Sequence, residues 1–363
     1  MITTPVDFKP YDGTKLLSLR DINGNKPEIY ICTSNRTGGK TTYFNRLLVN
    51  RFLKTNKQFC LLYRFKYELS NVSERFFGDI KNLFFNNYRL EQKKINSGNF
   101  IELFLGKEPK EGEKFVGKPC GYAISINSAD QIKKNSHLFS NVSSILFDEF
   151  QSETNQYAAN EIAKFISIHT SIARGGGKQV RYVPVYMVSN PVSIINPYYA
   201  ELGISNRLTN RTKFLKGNGW VLEQGFNEDA SIAQRSSAFN KAFQNNDYVA
   251  YSSQGIYLSD NNAFIEKITD LSNSIYLLTI IYENNQFALR LIKDRNILYL
   301  STEGIDEDRR KIVFKSTDHN INYLMLNKSA GIHTFLLTYF NNAQIRFNNL
   351  LAKQVLINIL NLK

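Results

Sequence analysis

Three short runs hold side chains that could together cut a phosphoanhydride bond. Ser34 to Thr41 (SNRTGGKT) fits G-x-x-x-x-G-K-[ST] at every fixed position but the first, where serine stands for glycine. Between a strand and a helix, the backbone N–H groups of Gly38 to Thr41 would wrap a β-phosphate, helped by the helix N-terminus. Lys40 would reach the β and γ oxygens and the Thr41 hydroxyl would hold Mg2+. Ser144 to Glu149 (SILFDE) is an apolar strand ending in two acids. Asp148 would join the Mg2+ shell, and Glu149 would orient and deprotonate an attacking water, the general base that hydrolysis needs. Tyr186 to Pro191 (YMVSNP) is a second apolar strand with a polar tip, where Ser189 or Asn190 could sense the γ-phosphate.

These runs need a sheet to hold them. Residues 28–33 read as a strand entering the glycine turn, and Phe44, Leu47, Leu48 and Phe52 then give one apolar helical face. A strand at 58–64 completes a βαβ unit, the building block of a parallel sheet. Further strands are expected at 99–105, 121–126, 144–148 and 183–189, with helical pattern at 155–172. Arg174 to Lys178 (RGGGK) must be a flexible cationic loop. Past residue 225 a helix is expected at 231–243, β-type runs at 275–282, 287–292, 297–300 and 312–314, and a last helix at 342–362. The division that follows is an α/β nucleotide-binding domain at 1–225, a helical linker at 226–262 and a smaller β-rich domain at 263–363. Taken together, the three motifs describe an α/β P-loop ATPase of the additional-strand, catalytic-glutamate type, its mainly parallel sheet flanked by helices.

Composition narrows the partners. The 363 residues carry 45 basic and 32 acidic side chains, a net charge of +13, which favours an anionic partner. Residues 1–225 hold 31 of the basic and 19 of the acidic groups, so the excess lies with the ATPase part. Apolar runs fall short of the roughly 20 residues a spanning helix needs, and Met1 to Pro10 has no signal-peptide pattern, so no membrane is expected. Three cysteines without C-x-x-C spacing and four scattered histidines support neither a disulfide framework nor a zinc site.

At this point the chain resembles the large terminase subunits, and most closely the compact DNA-packaging (encapsidation) ATPases of small short-tailed phages. The resemblance rests on Arg36 in the phosphate loop, Cys60 to Arg64 (CLLYR), Ile145 to Glu149 (ILFDE) and Val188 to Pro191 (VSNP), and covers about residues 25–225. It departs at Ser34, and no adenine-contacting glutamine stands out. The resemblance implies a homo-oligomeric ring, commonly a pentamer, on the capsid portal (connector), driving double-stranded DNA into the prohead in the host cytoplasm. It implies ATP and Mg2+ as ligands, with Ser34, Asn35, Arg36, Thr37, Gly38, Gly39, Lys40, Thr41, Thr42, Arg64 and Asn190 at the nucleotide, and Thr41 and Asp148 at the metal. A ring motor also needs a cation from the neighbouring subunit. Arg174, 25 residues after Glu149 and ahead of three glycines, is the choice; Arg207 and Arg211 compete, and Arg36 acts within its own subunit.

Lys107, Lys110, Lys114, Lys118, Lys133 and Lys134 are the DNA-contact candidates, with Lys133 and Lys134 favoured because Glu108, Glu111 and Glu113 interrupt the others. The C-terminal part is expected to resemble a degenerate ribonuclease-H-like nuclease. Its first strand lacks the required aspartate, Glu283 comes only at the strand end, and Glu303, Asp306, Glu307 and Asp308 read as a charged turn. Docking rather than cutting is the expectation. In the Bacillus members a packaging RNA bridges motor and portal, and the residues leave its presence here open. Competing readings are another DNA translocase or helicase, disfavoured by the lack of a second motor core; a nucleotide-dependent scaffold without useful turnover, disfavoured by Glu149; and a non-catalytic basic DNA-binding protein, for which the ordered motifs would be coincidence.

Overall fold

The structure, a computed structural model, describes residues 10–154, 156–175, 179–194, 196–205, 207–208, 212–243, 264–326 and 331–360. The chain divides into two compact units, residues 1–192 with 209–258, and residues 193–208 with 259–363.

The first unit is built on strands β1 (Ile29–Thr33), β2 (Gln58–Tyr63), β3 (Tyr88–Ile95), β4 (Phe100–Lys107), β5 (Gly117–Ser125), β6 (Val142–Asp148), β7 (Val185–Ser189), β8 (Phe214–Gly217) and β9 (Trp220–Gln224). They form one sheet in the order β3-β4-β5-β2-β6-β7-β1-β9-β8. Pairing from β5 through β9 is parallel, and β3, β4 and β8 add antiparallel edges. The central strands are apolar along their length because both faces are covered, as parallel sheets require.

Helices of this unit are α1 (Thr14–Ser18), α2 (Lys40–Thr55), α3 (Val72–Phe84), α4 (Ala129–Lys134) and α5 (Glu161–Ala173). α2 buries Phe44, Leu48, Val49 and Phe52 and stops where Asn56 turns left-handed (φ 53°), its N–H bonded to the Phe52 carbonyl. Removing the Phe44 ring would cost roughly 3–5 kcal/mol. β7 lies between β1 and β6, so an additional strand separates the phosphate-loop strand from the acidic strand. Its register sets Ser189 beside Thr33 and Val188 beside Asp148.

After α6 (Pro197–Glu201), which belongs to the second unit, the first unit resumes, and among its described residues the last helices are α7 (Glu228–Ser236) and α8 (Ala238–Ala242). The single helix expected at 231–243 is thus two, broken where Ser237 is extended (φ −62°, ψ 142°) and caps α8 through its side chain. The rest of the expected linker, 244–262, lies outside the described residues. The boundary expected after residue 225 also moves. Residues 193–208 go with the later unit, where Tyr198 and Tyr199 are buried and the Ser193 hydroxyl donates to Gln354.

In the second unit, β10 (Ser274–Tyr282), β11 (Asn285–Ile292), β12 (Ile297–Ser301), β13 (Lys311–Val313), β14 (Leu324–Met325) and β15 (Ile345–Phe347) form a sheet in the order β14-β13-β10-β11-β12-β15. The first three strands are an antiparallel meander, and the fourth and fifth add in parallel beyond the first. That order and those directions are the ribonuclease-H-like arrangement, extended by β15 parallel to β12. The β10–β11 turn uses Glu283 (φ 49°) and Asn284 (φ 61°), the left-handed pair a tight hairpin favours. Helices α9 (Gly331–Asn341) and α10 (Leu350–Leu360) follow, so the single helix expected at 342–362 contains a strand and begins later. Among the described residues no helix is long and apolar enough to cross a membrane.

Candidate nucleotide site

The loop from Ser34 to Gly39 leaves β1 and re-enters the chain as α2. Thr37 (φ 59°) and Gly39 (φ 87°) are left-handed, curling the backbone so that the first turn of α2 opens toward the loop. A β-carbon on Gly39 would meet Pro10 and the Tyr11 nitrogen at 3.4 Å, because the segment before α1 crosses the loop there. Tyr11 donates its N–H to the Gly38 carbonyl at 2.8 Å and its hydroxyl to Glu223 at 2.5 Å, and its ring packs against Tyr43 and Phe44.

Lys40 is buried, and its ammonium donates to the Ser34 carbonyl (3.1 Å), the Asn35 carbonyl (3.3 Å) and Asn190 Oδ1 (2.7 Å). All three acceptors are uncharged, so the lysine charge remains available to an anion. Burial pulls its pKa below the ordinary lysine value. Asn190 reaches it from the tip of β7, as the strand order requires.

Asp148 ends β6, accepting the Glu149 N–H at 3.0 Å, and the nearby Thr41 side chain helps hold its pKa down. Desolvation and then the neighbouring Glu149 charge push its pKa up to about 6, against the pull of Lys40 and Thr41. Glu149 is left-handed (φ 55°) and its side chain is exposed, at the same sheet edge as the loop.

Arg64, expected at the nucleotide, instead lies beneath Glu149. It is buried, its Nε is 3.1 Å from both Glu161 carboxylate oxygens, and its Nη1 and Nη2 donate to the Glu149 and Phe150 carbonyls. In this structure its guanidinium holds that turn, through Glu161 and the Glu149 and Phe150 carbonyls. Arg36 pairs with Glu153 and leans across the loop toward the β6–α5 connection.

Asn35 faces away from Lys40. Its side-chain amide accepts the Asn227 N–H (2.8 Å) and donates to the Asn227 carbonyl (2.9 Å), while Asn227 Oδ1 caps α7 through the Ala230 N–H. Gln234, farther along α7, donates to the Thr37 hydroxyl at 3.0 Å. Tyr11, Glu161, Asn227 and Gln234 all escape a motif search. Only Asn227, ahead of Glu228 and Asp229, carries a sequence signal, that of a helix start.

Arg174 does not lie near its own loop. It follows the last turn of α5 and donates to the Lys133 carbonyl (3.3 Å) and the Ser136 hydroxyl (2.7 Å). The neighbouring Arg181 binds the Val142 carbonyl at the start of β6, which fixes this as the opposite sheet edge. Lys133 and Lys134 are exposed at the end of α4. Lys107 and Lys110 are exposed where β4 leaves the sheet, and there Glu108 is paired with Lys81. Arg211, Lys178 and the last two glycines of the cationic loop lie outside the described residues.

In the second unit, Glu283 pairs with Lys315, whose ammonium sits 4.3 Å above the Tyr282 ring, and Asp318 accepts the N–H groups of Glu283 and Asn284. Asp306 and Glu307 pair with Arg309 and Lys311 in a charged turn. Among the described residues no three histidine, cysteine or acidic side chains gather as a metal site.

The family model of the podovirus DNA encapsidation protein (Gp16) matches residues 11–362. The chain belongs to this family. Membership in the encapsidation family makes it a DNA-packaging protein. It is 25% identical over 323 residues to the DNA packaging protein of Bacillus phage B103, covering 87% of this chain and 91% of that protein. To the DNA packaging protein of Bacillus phage phi29 it is also 25% identical, over 87% and 88% of the two chains. The fold of the encapsidation-family chain is similar to that of a chain in the bacteriophage phi29 viral genome packaging motor assembly, with a TM-score of 0.65, 22% identity and 97% and 98% coverage.

Proposed function

We propose that the chain is an ATP-driven motor, hydrolysing ATP to ADP and phosphate in a homo-oligomeric ring of five subunits and moving double-stranded DNA into a preformed capsid. One observation carries this reading: Lys40, Asn190, Asp148 and Glu149 come from the tips of three adjacent parallel strands to one sheet edge. That edge is where open α/β sheets bind ligands.

In this reading the loop amides and Lys40 bind the ATP phosphates, with Ser34, Asn35, Arg36, Thr37, Thr42 and Asn190 framing them. The donors fit Mg2+. The Thr41 side chain already stabilises the charged form of Asp148, and a divalent cation there would relieve the repulsion between Asp148 and Glu149. When bound, Mg2+ would neutralise charge on the phosphate oxygens. Glu149 takes the proton of the attacking water, and Arg64 holds the backbone that aims it. Asn190 keeps Lys40 aligned from the side where the γ-phosphate is lost.

Arg174 serves the neighbouring subunit. α5 spans 13 residues from Glu161, which touches the support of Glu149, and at 1.5 Å per residue Arg174 lies about 20 Å along the helix. An arginine side chain does not cover that distance within its own chain. Lys133 and Lys134, beside Arg174, contact DNA phosphates, with Lys107 and Lys110 as secondary contacts. The second unit docks on the portal, and on a packaging RNA where the particle carries one, at the prohead in the host cytoplasm. It does not cut DNA, because Glu283 is committed to Lys315 and Asp318 to the turn.

The test is phosphate release from ATP by wild type and Glu149→Gln, with and without linear double-stranded DNA and with proheads supplied. DNA-stimulated release that disappears in Glu149→Gln while ATP still binds is expected. Equal turnover in both would sink the assignment of the base.

A further inference from the structure

The phosphate loop is gripped from the side opposite its lysine, and the same residue makes both contacts. The Asn35 carbonyl accepts the Lys40 ammonium at 3.3 Å, while the Asn35 side-chain amide closes a two-way pair with the main chain of Asn227. Asn227 is the N-cap of α7, so a shift of Asn35 moves the start of a helix. Gln234 makes a second contact, to Thr37 in the same loop. A β-carbon on Gly38 would stand 3.3 Å from the Asn227 β-carbon, so loop and helix are in close apposition with little slack. Among the described residues, α7 and α8 are the last elements of the first unit.

We infer that Asn35 is a positioning residue that ties occupancy of the phosphate loop to α7. In the structure, main-chain carbonyls of the loop hold Lys40. An anion that draws the ammonium off the Asn35 carbonyl removes a restraint from that residue, and its side chain passes the change to Asn227. Thr37, already left-handed, lies between Asn35 and Lys40 in the chain and makes the second contact to α7, through Gln234. The inference rests on reading the loop as an ATP site. It adds to that reading the route by which ATP binding reaches the segment leading out of the ATPase unit.

The test uses the full chain with Arg235, exposed on α7, replaced by cysteine and labelled with an environment-sensitive fluorophore. Labelling is selective because Cys32, Cys60 and Cys120 are all buried. A slowly hydrolysed ATP analogue is added at a concentration that saturates each variant, verified by displacement of a fluorescent nucleotide. In the otherwise wild-type chain the analogue is expected to change the α7 signal. In Asn35→Ala, saturated equally, the change should vanish, and in Gln234→Ala it should shrink. Hydrogen exchange of residues 228–242 gives a label-free check, with nucleotide-induced protection expected in wild type and absent in Asn35→Ala. A full-sized response in Asn35→Ala, or none in wild type despite bound analogue, would overturn the inference. Failure of wild type to displace the fluorescent nucleotide is a different result, one that removes the ATP site itself.

Discussion

Arg64 holds Glu149 by its main chain: Nη1 donates to the Glu149 carbonyl at 3.3 Å while Nε lies 3.1 Å from both oxygens of Glu161. The carboxylate of Glu149 is left for chemistry, and its left-handed backbone is fixed from below. Arg64→Ala takes the guanidinium away from the buried Glu161 carboxylate, which keeps the Ala158 N–H, so a loss of roughly 3 kcal/mol is expected from urea unfolding. Arg64→Met with Glu161→Leu should recover much of that stability but not turnover, because nothing then holds the Glu149 carbonyl. Recovery of both would show that the pair serves packing alone.

Mixed rings separate an arginine acting in trans from one acting in cis. Subunits with Arg174→Ala keep their own base, and subunits with Glu149→Gln keep an arginine to lend. Each variant alone should be silent. A mixture should regain part of the ATPase rate, since some interfaces join an intact Glu149 to an intact Arg174. A mixture as silent as its components would place Arg174 outside the neighbour's site.

Glu223 gives a pH dependence whose sign follows from burial. Desolvation raises its pKa above the ordinary 4.5, opposed by the hydrogen bond from Tyr11. The folded protein therefore holds this proton to higher pH than the unfolded chain does. Its contribution is most favourable below pH 4.5 and is lost as pH rises through the folded-state value. Glu223→Gln keeps an acceptor for the Tyr11 hydroxyl and removes the titration. Thermal melts from pH 4.5 upward should fall less steeply in the variant, and parallel curves would show that Glu223 is not the group responsible.

For the lysines, salt dependence is more informative than affinity. Replacing Lys133 or Lys134 by alanine should lower the log–log salt slope of DNA binding by about 0.9 for each phosphate the side chain neutralises. Lys107 and Lys110 should give smaller changes, because their connector carries Glu108, already bound to Lys81. An unchanged slope on Lys133→Ala would remove it from the interface.

What is legible along the chain and what is hidden follow a physical line. Lys40, Asp148 and Asn190 are legible because each needs a local backbone arrangement that leaves a pattern: glycines before a helix, or an apolar run with a polar tip. The strands of the ribonuclease-H-like meander are legible by the same apolar runs. β3 (YRLEQKKI) escapes because an edge strand needs few apolar side chains, and Gln92 and the charged residues around it look like a connector. α9 escapes although it is apolar, because only Leu336 in it is deeply buried and no periodic stripe marks a core face. The place of Arg64 is hidden for another reason. Its partner Glu161 is 97 residues away, and nothing local shows that its guanidinium is already taken. The two-way pair of Asn35 with Asn227 spans 192 residues and is equally invisible along the chain.

The backbone of Glu149 has an evolutionary consequence. A glutamate at φ 55° costs about 1–2 kcal/mol relative to a residue that adopts this region easily, such as asparagine. With Glu149 as the proposed base, Glu149→Asn would fold more stably and lose turnover. On that proposal, selection for folding alone would drift away from glutamate at this position, and the demand for turnover would oppose that drift.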